Sequence, residues 1–187
     1  GTVTARMSPR KGMAVCPSPR SCSAEAPDPA RPTVNGLLLA SRWPVRRLRL
    51  ATAPVEPGRW LLARIQSPAP LVVGVMHVPN RVTGRKYPYL DAVLETARRA
   101  WPGPAVFLGD TNSGRIGLDE EVPAFNRVED GWMRGLHEAG WIDAFRHLRG
   151  DARAYTWYSP NGSPPRARIA SIASSIRAKG LFFFLIP

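Results

Sequence analysis

Two short stretches carry the residues with which this sequence could do chemistry. VGVMHVPN (73–80) brings an apolar run to His77, and FLGDTNSG (107–114) brings another to Asp110, with Asn112 two residues on. An Asp carboxylate takes a proton from water or holds a divalent cation through oxygen. An amide such as Asn112 orients that water or a phosphoryl oxygen, and an imidazole donates a hydrogen bond to the same phosphoryl group. Together the three suit metal-assisted phosphoester hydrolysis. Gly, Asp, Asn and Ser are also the residues that turns select, so an ordinary strand-ending turn is the competing reading of 107–114.

The chemistry needs a scaffold that brings the two stretches together. If they end neighbouring strands, His77 and Asp110 emerge at the same edge of a sheet, where loops build sites on rigid elements. LVVGVMHV (71–78) and AVFLG (105–109) read as buried strands, and WLLARI (60–65), VNGLLLA (34–40) and AYTWY (154–158) as further strands. VRRLRLA (45–51) only partly fits a half-exposed strand. Between 71–78 and 105–109, Leu90, Val93, Leu94, Ala97 and Trp101 make one apolar helical stripe, with Pro88 placed to open the helix. A second helix is predicted near 121–139, carrying Trp132, Leu136 and Ala139, and Asp143 caps or joins a short turn after it. Trp132 and Trp141 read as core, His137 and His147 as structural or surface residues. Strands and helices in this order predict an α+β fold with sheet packing.

Composition sets the outer bounds. A length of 187 residues with 44% hydrophobic side chains fits one domain with loose ends. Against 14 acidic side chains stand 26 basic ones, a formal net charge of +12, which points to an anionic partner: nucleic acid, a phosphorylated metabolite or acidic lipid head groups. Coding bias competes with that meaning, since Lys11, Lys86 and Lys179 are the only lysines and the other cations are Arg. Cys16 and Cys22 make neither a disulfide framework nor a zinc site. The longest apolar run, LFFFLIP (181–187), falls far short of the ~18 residues of a membrane span, so a soluble, cytoplasmic chain is expected. Residues 1–33 lack any period and are expected to be disordered; 34–160 form the patterned domain; 161–187 read as a degenerate or unstructured tail.

NGLLLASRWPVRRLRL, VGVMHVPN, GRKYPYLDAVLE, FLGDTNSGR and GWIDAFRHLRGDARAYTWYSP, in that order, resemble the endonuclease/exonuclease/phosphatase superfamily, whose fold is DNase I-like. The resemblance implies two packed mixed sheets flanked by helices, and a Mg²⁺- or Mn²⁺-dependent phosphodiester or phosphomonoester hydrolase. Within it, Asp110 activates the attacking water and touches the metal, Asn112 positions water or phosphate, and His77 faces the scissile phosphate. Asn80 matches a phosphate-side Asn. Arg85 and Lys86, in what reads as a flexible GRKY loop, are placed to meet a phosphate, with solvated charge as the alternative. Tyr155, Thr156 and Trp157 match a strand that walls the substrate cleft, although Trp157 also suits a core.

Both ends depart from the family pattern. No strand ending in a Gln-Glu pair precedes residue 34, and the metal role is not carried onto Glu25. Arg168-Ile169-Ala170 stands where Arg-x-Asp is expected, no acidic residue follows Asp151 and no His follows His147. The composition of the ends matches GC-rich coding sequence read in a shifted frame, and Gly1 in place of Met suggests an incomplete start. A partial DNase I-like fold lacking some terminal strands is therefore expected, weak or inactive as a catalyst, with sheet edges open to self-association. The alternative is a basic nucleic-acid-binding remnant without turnover.

Overall fold

In a computed structural model of the chain, residues 3–7, 22–26, 36–153, 155 and 173–175 are described. They form β1 (Val3–Met7), β2 (Cys22–Ala26), β3 (Leu37–Ser41), β4 (Val45–Leu48), β5 (Trp60–Ile65), β6 (Leu71–His77), α1 (Lys86–Ala97), β7 (Ala105–Asp110), α2 (Arg127–Glu138), β8 (Ile142–Asp143), α3 (Ala144–Arg149) and β9 (Ala173–Ser175). The three-stranded sheet has the order β1-β3-β2, and the six-stranded sheet the order β4-β5-β6-β7-β9-β8. The connection between β5 and β6 is short, so the two pair antiparallel. β6 and β7 run parallel, as the α1 crossover between them requires.

Side-chain alternation sorts the large sheet into two faces. Leu61, Ala63 and Ile65 of β5, with Leu71, Val73 and Val75 of β6, pack against Leu37 and Leu39 of β3 to form the core between the sheets. The intervening residues Trp60, Leu62, Val72, Met76 and Phe107 face Tyr89, Leu90 and Val93 of α1 and Trp132 and Leu136 of α2. The layers are therefore sheet, sheet, helices. Phe107 is the centre of the helix-side core, stacked on Trp141 at 4.1 Å and met edge-on by Trp60 at 5.3 Å. The buried indole N–H groups of Trp132 and Trp141 donate to the carbonyls of Leu90 and Ala97, both at 2.9 Å, which satisfies their polar ends.

The elements differ from expectation in four places. α1 begins at Lys86 rather than Pro88, leaving the proline in the first turn, where a missing N–H costs nothing. α2 begins at Arg127 rather than near 121, because Asn126 and Glu129 form a reciprocal capping box that fixes the start. β1 and β2 lie within the 1–33 segment expected to be disordered, flanking β3, and β9 lies within the 161–187 tail, between β7 and β8. Of the expected strand 154–158, only Tyr155 is among the described residues. No helix of the described residues is long and apolar enough to cross a membrane.

Candidate active site

The face of the large sheet that packs on the small one gives out at its end onto polar residues. Register pairs His77, the last residue of β6, with Asp110, the last of β7. Their side chains stand together, His77 Nε2 lying 3.8 Å from Asp110 Oδ2. Beside them, Trp60 of β5 pairs with Met76, so Arg59 comes opposite His77, and the His77 N–H donates to the Arg59 carbonyl at 2.9 Å.

The turn after β7 is held from several sides. Gly109 has φ +128°, and a Cβ there would fall 1.9 Å from the Met76 carbonyl oxygen, so only glycine lets β7 approach β6 this closely. Asn112 has φ +44°, in the left-handed region that Asn tolerates better than most residues. Its backbone N–H donates to Asp110 Oδ1 at 3.0 Å, and its Nδ2 to the Val78 carbonyl at 2.8 Å. The Val78 N–H returns a bond to the Asp110 carbonyl at 2.8 Å. Both Asp110 and Asn112 are thus fixed to the chain just past the end of β6.

Burial sets the proton affinities. Desolvation raises the Asp110 pKa, opposed by the Asn112 N–H and by the charges of His77, Lys86 and Arg59. Desolvation, then the Arg59 charge, lowers the His77 pKa, while Asp110 pulls it up. A neutral imidazole beside a carboxylate of raised basicity is the arrangement expected of a hydrogen-bond donor next to a general base.

Other expected site residues fall in different surroundings. Asn80 is exposed; its carbonyl accepts the Thr83 hydroxyl at 2.8 Å at the start of a short 3₁₀ turn, and its side chain makes no cap bond. Arg85 is exposed and pairs with Glu56 at 3.0 Å. Lys86 is a correction: it is no loop cation but a buried residue opening α1, its ammonium on Glu129 and on the Asn112 carbonyl. Its partner lies 43 residues away in the chain, which local pattern does not reveal. Tyr155 is half-buried, with a buried hydroxyl oxygen that has no partner among the described residues. Thr156 and Trp157 lie outside the described residues. His137 and His147 are exposed.

The site does not fit Mg²⁺ among the described residues. Asp110 is the one carboxylate there, and no group of three His, Cys, Asp or Glu residues that could hold a metal ion occurs among them. The remaining buried carboxylates are committed elsewhere. Glu120 accepts the N–H groups of Gly117, Ala124 and Phe125, and Asp130 pairs with Arg115 and Arg134. Asp119 pairs with Arg146, and Glu129 with Lys86 and Arg81. Glu25, outside this accounting, lies on β2 at the register position of Leu38.

Solved structures share this architecture. An AP endonuclease from Archaeoglobus fulgidus superposes with a TM-score of 0.68 at 18% identity, over 82% of this chain and 66% of that one. The 3′-5′ exonuclease NExo from Neisseria meningitidis gives 0.68 at 21% identity, over 83% and 67%. The chain has the DNase I-like fold. A structure of the 3′ phosphatase NExo from Neisseria bound to a product DNA hairpin matches this DNase I-like chain equally, at 0.68 and 22% identity over 83% and 67%. The chain thus spans about two thirds of the length of these proteins. No protein-family model matches the sequence, and no curated protein does.

Proposed function

We propose that the chain hydrolyses phosphoesters of nucleic acid, with low turnover, through Asp110, Asn112 and His77. The observation that carries this reading is the placement of His77 and Asp110 at paired ends of adjacent parallel strands, 3.8 Å apart, with Asn112 locked beside them. Asp110 takes the proton of a water that Asn112 Oδ1 orients. That water forms the new bond to phosphorus as the ester oxygen leaves, and His77 donates a hydrogen bond to a phosphoryl oxygen. The leaving oxygen takes its proton from solvent. Dependence on Mg²⁺ or Mn²⁺ would need ligands from residues beyond the described ones. The nucleic-acid substrate class is supported by the AP endonuclease, the exonuclease and the DNA-bound phosphatase that share the fold.

The assay is cleavage of plasmid DNA and of a 3′-phosphorylated DNA hairpin, with and without Mg²⁺ or Mn²⁺, for the parent chain and Asp110→Ala. The net charge of +12 favours a second reading, binding of nucleic acid without turnover. It predicts affinity that falls steeply with salt, is indifferent to metal, and is accompanied by no cleavage.

A further inference from the structure

We infer that the arginines at the end of the large sheet opposite the candidate site, centred on Arg46 and Arg64, form a second surface that holds the phosphate backbone of nucleic acid. The inference takes from the reading above only that nucleic acid is the partner, and it needs no turnover. Arg46 of β4 and Arg64 of β5 are direct register partners across an antiparallel pair, so both side chains leave the same face of the sheet. On that face the next pair inward is Leu48 with Leu62, and both leucines belong to the helix-side core. The core therefore ends here in two cations whose Cβ atoms stand about 5 Å apart. On its other side Arg64 is opposite Val72, five residues before His77, which puts the pair about 17 Å along the strands from the candidate site.

Like charges directly opposite each other weaken a sheet. No carboxylate among the described residues lies within ion-pair distance of Arg46 or Arg64, nor of Arg42, Arg98 or Arg99 at the same end. By contrast, Arg81, Arg85, Arg115, Arg134 and Arg146 all sit on carboxylates. Arg42, in the turn that leads into β4, lies over the Trp43 ring at 5.3 Å, which orients the guanidinium and leaves its N–H groups for an acceptor. α1 returns along the sheet from the end of β6 to the start of β7, so the exposed Arg98 and Arg99, just past its last residue, stand at this end too. Those two also suit the helix C-terminus; Arg46 and Arg64 have no such use within the fold. An anion bridging Arg46 and Arg64 turns their repulsion into two charge-assisted contacts, and a nucleic-acid backbone offers a row of such anions. Among the described residues, the exposed large hydrophobics Val55, Val82, Ile116, Val128, Ile142 and Leu148 all lie outside β4, β5 and the turn before β4. The surface therefore lacks the apolar wedge with which a protein enters a lipid surface.

The test is an anisotropy titration of a fluorescent DNA duplex across a salt series, with EDTA present so that cleavage plays no part. The parent chain is compared with Arg46→Gln/Arg64→Gln, with Arg42→Gln, and with Arg149→Gln/Arg153→Gln, which removes the same charge from exposed positions elsewhere. Each lost phosphate contact reduces the slope of log affinity against log salt by about one. The slope should therefore fall by about two in Arg46→Gln/Arg64→Gln and by about one in Arg42→Gln, and stay at the parent's value in the control pair. Arg46→Gln/Arg64→Gln should melt at or above the parent, because the repulsion across the strands is relieved. A parent that does not bind DNA, a slope unchanged in these variants, an equal reduction in the control pair, or a double variant that melts well below the parent overturns the inference. Phosphatidylserine vesicles that displace the duplex and depend on the same arginines overturn it as well, in favour of a lipid surface. DNA held through these arginines by a chain that cleaves nothing would sink the hydrolytic reading alone. Metal-supplemented cleavage that needs Asp110, with DNA affinity indifferent to Arg46 and Arg64, would sink this inference alone.

Discussion

The ammonium of Lys86 is buried between the Glu129 carboxylate and the backbone carbonyl of Asn112, tying the first turns of α1 and α2 to the turn that carries Asp110. Burial lowers the Lys86 pKa, and the bond to Glu129 opposes that shift. Glu129 is fully buried and also accepts the Asn126 N–H at 3.0 Å, so one charge pair supports both a helix cap and the candidate site. Breaking a buried pair leaves an uncompensated charge.

Lys86→Met should therefore cost about 3 kcal/mol, the lower end for a broken buried pair, because Arg81 stays 3.2 Å from Glu129. Urea unfolding measures it. Lys86→Met combined with Glu129→Gln should be less destabilised than the sum of the two single changes. Strict additivity would mean that the two side chains do not interact.

Gly109→Ala should lower stability by about 2 kcal/mol or more, since its positive φ is strained for alanine and the new Cβ meets the Met76 carbonyl. The thermal midpoint reads the loss. A variant that melts with the parent would show that β6 and β7 are not packed this closely.

The His77 pKa sits below its usual 6.5 in the folded chain. On acidification the unfolded chain takes the proton first, so this contribution to stability is complete above pH 6.5 and is lost as pH falls towards the folded value. Asp110, with a raised pKa, has the opposite sign: its ionisation disfavours the fold, and that penalty is relieved on acidification. Urea midpoints measured from about pH 7.5 down to about pH 5.5 should fall for the parent and fall less for His77→Gln. Parallel pH profiles for the two proteins would contradict a depressed His77.

The parts of this fold that local pattern encodes are legible in the sequence. β5 spans 60–65 as its apolar run predicts, and β6, β7 and the stripe of α1 follow from the same signal. The pairing of His77 with Asp110 was readable too, because a helix between two buried strands implies a parallel neighbour. The buried state of Lys86 depends on Glu129, far along the chain, and so leaves no local signal. Arg59 carries no motif at all; only the register of β5 on β6 brings it to His77. The start of α2 is present in the sequence as Asn126 and Glu129 at capping-box spacing, a signal that the expected start near 121 passes over. Upstream of that cap, Asp119 and Glu120 bind loop N–H groups.

The most direct test of the central claim is metal-supplemented cleavage of the 3′-phosphorylated DNA hairpin by the parent chain and by Asp110→Ala, each shown to be folded. The account predicts slow cleavage by the parent, reduced about 100-fold or to background in Asp110→Ala, the scale of a lost general base. Equal cleavage by both proteins, or none by the folded parent, would contradict it.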